Sequence, residues 1–237
     1  MEKGKLYLIP VVIAEATQAN VIPEQVRTVL PSIQYFLAEE IRTARRYLSS
    51  LKVYESIEPL QFQVLDKKTK KAELKEFFKP IEEGKNLGVL SESGCPGVAD
   101  PGALAVAYAH KHNITVVPLV GPSSLLLSLM ASGLNGQKFA FHGYLPIDAK
   151  DRQQAIRELE KESMQKNQTQ LFIETPYRNQ TVFNDLVKSL SNTTLLTVAY
   201  DITGSTEMIK TKTVADWKKE KVTLDKLPCV FLLLAEA

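Results

Sequence analysis

Two cysteines occur among 237 residues, Cys95 and Cys229, far apart and outside any CxxC or Cys/His cluster. That scarcity removes the basis for a zinc site or a disulfide framework, and a reducing, cytoplasmic setting is the expectation. Long apolar runs are also missing. Val230 to Leu234 falls far short of the ~20 residues a membrane span needs. Lys3 and Lys5 precede an apolar run from Leu6 to Ala14, and Ala14-Glu15-Ala16 imitates a cleavage site. Pro10 interrupts that run, however, and Leu6 to Ile13 reads as a first buried strand rather than a secretion signal. Charge of one sign is missing as well: Lys and Arg number 29 against 27 Asp and Glu, a net +2. No global field draws the chain to a polyanion, so such a partner would have to be met by a local patch. No internal repeat or low-complexity tract stands out.

What is present is an ordinary globular composition, 44% apolar and 24% charged, in a chain long enough for one α/β body or two small lobes. Strand and helix patterns alternate through the first half, which predicts a parallel sheet covered by helices. Strands are expected at Leu6–Ile13, Ile33–Ala38, Leu87–Ser91 and Ile114–Leu119. Helices are expected at Glu40–Leu51, Thr69–Glu83, from Asp100-Pro101 to His112, and from Ser123-Ser124 through Ser132. The Lys-rich start of the second helix, Lys67-Lys68-Thr69-Lys70-Lys71, is most simply a solvated face. The turn-rich stretch Gly133 to Lys138 is the expected hinge, giving an N-terminal lobe of residues 1–133 and a C-terminal lobe of residues 134–237. Strands at Phe139–Tyr144, Leu171–Glu174, Leu195–Tyr200, Thr206–Lys212 and Cys229–Leu234, with helices near Lys150–Gln165 and Pro176–Leu190, predict a mixed sheet for the second lobe.

In an open α/β sheet, ligands bind beyond the carboxyl ends of the strands, so loops leaving strands carry the information. Two stand out. Ser91 to Gly102 holds three glycines that allow close backbone approach and two prolines that fix its path, yet lacks both the Gly-Lys-Ser/Thr of a phosphate loop and GxGxxG. Gly121-Pro122-Ser123-Ser124 places two hydroxyls and unpaired N–H groups at the first turn of a helix, where an anion is favoured. Capping alone would also account for those serines, and a tight crossover for the glycine loop. Cys95 lies in the first loop, either as a packing residue or with a lowered pKa near a helix start. His110 and His112 fall near a helix end, where the helix dipole accounts for them; His142 follows a strand and could be a base, though without an evident partner it reads as structural, and no Gly-x-Ser-x-Gly marks a hydrolase elbow.

Several segments together resemble the ordered motifs of the tetrapyrrole methylase superfamily. They are Ser91 to Gly102, Val117 to Ser124, Ala131-Ser132-Gly133-Leu134, Phe141 to Pro146 and Glu174-Thr175-Pro176-Tyr177-Arg178. Ala38 to Thr43 is similar to a segment of the branch that methylates a ribose 2′-oxygen of small-subunit ribosomal RNA. The resemblance covers essentially the whole chain. It implies a two-lobed α/β fold, usually a homodimer, and an S-adenosylmethionine-dependent methyltransferase that needs no metal. By the resemblance, Gly94, Cys95, Pro96, Val98, Ser123 and Ser124 would touch the donor, with Glu174 and Cys229 closing over it from the second lobe. Ribosomal RNA of the small subunit is the acceptor implied; a tetrapyrrole or other small molecule is the alternative, and a cofactor-binding protein without catalysis a third reading. Glu40 and Arg42, just beyond a strand end, are the candidates for assisting proton removal. The chain departs from the branch at Pro10 to Glu15, where the branch has Gly-Thr-Pro-Ile-Gly-Asn, and at Tyr200 to Gly204, where it has Arg-Glu-Leu-Thr-Lys.

Overall fold

A computed structural model describes residues 3–224 and 226–235. The chain divides into two compact units, Met1–Ser123 and Ser124–Ala237. Both are α/β, the first with a parallel sheet and the second with a mixed one.

The first unit is built on strands β1 (Leu6–Ile9), β2 (Ile33–Ala38), β3 (Gln61–Val64), β4 (Asn86–Leu90) and β5 (Val116–Pro118), in the order β3-β2-β4-β1-β5 and all parallel. β1 stops at Ile9 rather than Ile13 because Pro10 has no N–H to give to a ladder. Each face of the sheet carries its own core. Helix α1 (Ile41–Leu51) covers one face with Ala44, Tyr47, Leu48 and Leu51, meeting Ile33 and Phe36. Helix α2 (Gly102–Lys111) covers the other with Ala105 and Ala109, beside Leu74, Phe77, Phe78 and Ile81. Those last four sit at helical spacing, as expected, but the continuous helix predicted over Thr69–Glu83 is two short ones, Leu74–Phe77 and Lys79–Glu82. Pro80 cannot donate to the carbonyl four residues back, and Phe78 (φ −93°, ψ 0°) takes up the break.

The second unit opens with helix α3 (Ser124–Ser132), followed by β6 (Phe139–Tyr144), α4 (Ala149–Lys166), β7 (Thr169–Glu174), α5 (Asn179–Ser189), β8 (Leu195–Tyr200), β9 (Met208–Thr213) and β10 (Cys229–Leu234). Its sheet runs β6-β7-β10-β8-β9, with β6 parallel to β7 and the remaining pairs antiparallel. Central β10 is buried at every residue, which explains its unbroken apolar sequence. The division between units falls at Ser123/Ser124, ahead of the expected hinge at Gly133–Lys138. α3 packs against β9 and β10, so it belongs with the second sheet rather than the first.

Candidate functional site

With five parallel strands, every loop leaving a strand of the first unit emerges at one edge. Adjacent strands β4, β1 and β5 send out the glycine loop, the Pro10-Val11 turn and the Gly121-Pro122 turn, and the three are interlocked. The Val11 N–H donates to the Gly94 carbonyl at 2.9 Å. The Ser91 hydroxyl donates to the carbonyls of Ser93 and Gly94, at 3.1 and 3.2 Å. The Cys95 thiol points to the Pro122 carbonyl at 3.3 Å. Pro10 lies so close to Gly121 that a Cβ on the glycine would sit 2.1 Å from the proline Cβ. Tyr47, buried on α1, donates its hydroxyl to the Pro10 carbonyl at 2.8 Å.

Within the glycine loop, Gly94 (φ +70°) and Gly97 (φ +84°) adopt backbone that residues with a Cβ rarely take. Asp100 accepts from the N–H groups of Gly97 and Gly102, at 2.6 and 2.8 Å, so one carboxylate oxygen closes the loop and satisfies the first N–H of α2, while the N-cap position expected at Asp100 falls at Pro101. Gly94 and Pro96 are buried, Cys95 and Gly97 half-buried, and Val98 exposed. Burial raises the Cys95 thiol above its ordinary value, which corrects the option of an activated thiolate. The Asp100 carboxyl is also raised, by desolvation first and then by the nearby Glu39 charge, against the lowering pull of the two N–H groups. Glu92 follows the same pattern, with Glu39 and Glu40 as its like charges.

For Asp100 the folded state holds its proton more tightly than the unfolded chain does. Stability therefore falls as pH rises from the ordinary aspartate range through the raised value. Asp100→Asn keeps an oxygen for both N–H groups and removes this pH dependence, at a cost under about 1 kcal/mol near neutrality. Asp100→Ala strands both donors and should cost about 1–3 kcal/mol. Urea unfolding of both variants against pH checks the contrast; equal losses would show that the two hydrogen bonds do not matter.

Ser123 closes the first unit and Ser124 opens the second. The Ser124 carbonyl accepts from the Ser128 hydroxyl at 2.5 Å, while among the described residues neither Ser123 nor Ser124 has a partner for its own hydroxyl. Glu40 serves as N-cap of α1, accepting from the Arg42 N–H at 3.1 Å, and the Arg42 side chain is exposed.

In the second unit, Glu174 at the end of β7 and Cys229 at the start of β10 are register partners, and Cys229 faces Tyr200 on its other side. Two residues that the sequence separates widely are thus neighbours. The Glu174 side chain is fully buried; Oε1 accepts from the Thr175 N–H at 2.6 Å, and Oε2 lies 3.1 Å from Arg178 Nη2 without hydrogen-bond alignment. Burial raises the Cys229 thiol steeply, which makes it a packing group. His142 lies 2.6 Å from Gln170 Oε1 and His112 stacks on Tyr108, which gives both structural partners.

Sequence reasoning did not find Tyr47 or Pro10 as supports of the loops. No local pattern marks them, since Pro10 acts through the adjacency of β1 and β5 and Tyr47 through the packing of α1 on the sheet.

Among solved structures the fold is that of the tetrapyrrole methylases. The chain superposes on the methyltransferase CobJ with a TM-score of 0.63 at 16% identity, covering 98% of this chain and 94% of that one. It matches uroporphyrin-III-C-methyltransferase from Thermus thermophilus with a TM-score of 0.57, again at 16% identity, covering 98% and 92%. In sequence the chain is similar to ribosomal RNA small subunit methyltransferase I of Escherichia coli O157:H7, 28% identical over 222 residues, 92% of this chain and 73% of that protein. The counterpart in Synechocystis is 29% identical over 200 residues, 84% and 67%. No protein-family model matches the chain. The resemblance read from the motifs is borne out by both comparisons. No group of His, Cys, Asp and Glu among the described residues could hold a metal ion, and no helix among them is long and apolar enough to cross a membrane.

Proposed function

We propose that this chain is an S-adenosylmethionine-dependent methyltransferase whose acceptor is RNA of the small ribosomal subunit, with a ribose hydroxyl as the reacting group. The observation that carries the reading is the knot of three strand-exit loops over β4, β1 and β5, where the Val11 N–H bonds to the Gly94 carbonyl, the Cys95 thiol meets the Pro122 carbonyl and Gly121 packs on the Pro10 ring. Ligands of open α/β sheets bind at this edge. The chemistry of the loop suits the donor: from Ser91 to Gly102 it carries no cation and two carboxyls, Glu92 and Asp100, so a sulfonium meets attraction rather than repulsion.

When bound, the donor supplies an already activated methyl group. The chain's own residues then have to bind it, align an acceptor and exclude water. Gly94, Cys95, Pro96 and Val98 hold it through main-chain groups and apolar contact. The uncommitted hydroxyls of Ser123 and Ser124 suit its carboxylate. Glu40 and Arg42 stand at the exit of β2, beside the glycine loop, as groups to assist removal of the hydroxyl proton. The working protein is a cytoplasmic homodimer on this reading.

Methyl transfer from labelled donor to small subunits lacking and carrying their modifications, followed by mapping of the new mark, tests the acceptor. Transfer only to a small-molecule pool would replace RNA with a tetrapyrrole or similar acceptor, and donor binding without any turnover would leave a binding protein. Gly94→Val forces a β-branched residue to φ +70° with its Cβ 3.2 Å from the Pro122 carbonyl, and Ser123→Trp fills the second turn. Each should weaken donor binding at least about tenfold, roughly 1.4 kcal/mol. Calorimetry giving wild-type affinity in both variants would remove the assignment of the two turns.

A further inference from the structure

We propose that the Lys67–Lys71 turn, with the Arg42–Arg46 side of α1, is the surface that takes the sugar–phosphate backbone of the acceptor RNA. The inference rests on the RNA reading above and adds where the strand lies. The placement follows from strand order. Lys67 to Lys71 follow β3, α1 follows β2 and the glycine loop follows β4, and these three strands are neighbours in the order β3-β2-β4. Val64 pairs with Ala38, and the Leu65 N–H donates to the Ala38 carbonyl at 2.9 Å, so the two exits stand level. Two strand spacings, about 10 Å, separate the basic edge from the strand that bears the glycine loop.

The acidic residues of this edge are spent on the backbone. Asp66 accepts from the Lys68 N–H at 2.8 Å and lies 3.2 Å from the Thr69 hydroxyl, which in turn accepts from the Asp66 N–H at 2.9 Å. Glu73 accepts from the Lys70 N–H at 2.8 Å, and Glu40 caps α1. These bonds order the turn while Lys67, Lys68, Lys70 and Lys71 stay exposed; among the described residues none of them makes an ion pair within 4.0 Å, and only Lys68 feels a nearby acid, Asp66. Lys79 and Lys85, by contrast, each hold an acid. Arg45 stacks over the Phe62 ring, 5.5 Å from its centroid, which fixes a guanidinium at the seam between α1 and β3. Arg42 and Arg46 are exposed beside it.

The rim is therefore basic, while the floor next to the donor loops carries Glu39, Glu92 and Asp100. Phosphates are attracted to the first and repelled by the second, so a strand held at the rim presents an uncharged ribose inward.

The test is fluorescence anisotropy with a short labelled single-stranded RNA, titrated against salt. The patch variant carries Lys67→Gln, Lys68→Gln, Lys70→Gln and Lys71→Gln. The control carries Lys3→Gln, Lys5→Gln, Lys52→Gln and Lys111→Gln, four exposed lysines near the opposite, amino-terminal edge of the sheet. The patch variant should bind at least about tenfold more weakly near 0.1 M salt, with the slope of log affinity against log salt lower by about 2–3, while the control stays within about twofold. Donor affinity should be unchanged in both. Wild-type affinity and slope in the patch variant, or an equal loss in the control, would overturn the surface while leaving the methyltransferase reading intact. A wild-type protein that binds donor but no RNA would remove the RNA acceptor itself, and this surface with it.

Discussion

Gly121→Ala is expected to unsettle the donor loops more than any other single methyl group added to this chain. Its Cβ would lie 2.1 Å from Pro10 Cβ and 2.4 Å from Pro10 Cγ, so the turns after β1 and β5 must part. The neighbour is a rigid ring next to a strand end, not the far end of a flexible side chain. We expect a loss of about 3 kcal/mol in the first unit, the upper range for overpacking, and a matching loss of donor affinity. Pro10 carries the effect onward, because the next residue, Val11, bonds to Gly94. Gly133→Ala is the control: its φ is +71° but nothing lies within 4 Å of the added carbon, so only the conformational cost of about 1–2 kcal/mol remains. Chemical unfolding and donor titration of the two variants separate the cases. A Gly121→Ala protein with wild-type donor affinity would show that the three turns do not act as one site.

Arg152→Met should be the most damaging change in the second unit. Arg152 is buried on α4 and reaches Asp185 on α5 through Nε at 2.7 Å and Nη2 at 2.6 Å. Its Nη1 holds the carbonyls of Ile147 and Pro146, at 2.7 and 3.2 Å. One guanidinium thus joins two helices and the loop after β6. Removing it strands the Asp185 carboxylate and the Ile147 carbonyl, while the Pro146 carbonyl keeps Arg178 Nη2 at 3.0 Å, at a cost of about 3–5 kcal/mol. The double variant Arg152→Met/Asp185→Leu should recover a good part of that loss, because a buried pair replaced by apolar groups is often nearly neutral. Thermal unfolding of the single and double variants measures it. A single variant as stable as wild type would mean that the pair is idle.

The acidic floor and basic rim of the first unit show why a net charge of +2 says little about partners. The lysines after β3 and the arginines of α1 stand on one side, Glu39 after β2 with Glu92 and Asp100 after β4 on the other, and the opposite charges cancel in the sum.

Much of this architecture was legible in the residue pattern. The α1 stripe, the Asp100-Pro101 start of α2, the Gly133 stop and the all-apolar β10 follow from periodicity, capping and composition, which act over a few residues. Gln61–Val64 was not legible. It is an edge strand, largely exposed, so burial imposes no alternation on it. The break at Phe78 was masked by an apolar spacing that runs unbroken through both short helices.

By itself the sequence determined that the chain is α/β, that its two informative loops leave strands, and that neither carries the signature of a phosphate clamp. Tertiary structure alone decided which loops meet. The packing of Pro10 against Gly121, the pairing of Glu174 with Cys229, and the assignment of α3 to the second unit all depend on which strands lie side by side. Local preference fixes an element through neighbours in the chain, whereas strand order is chosen by burial summed over distant segments, and no short window of residues contains that sum.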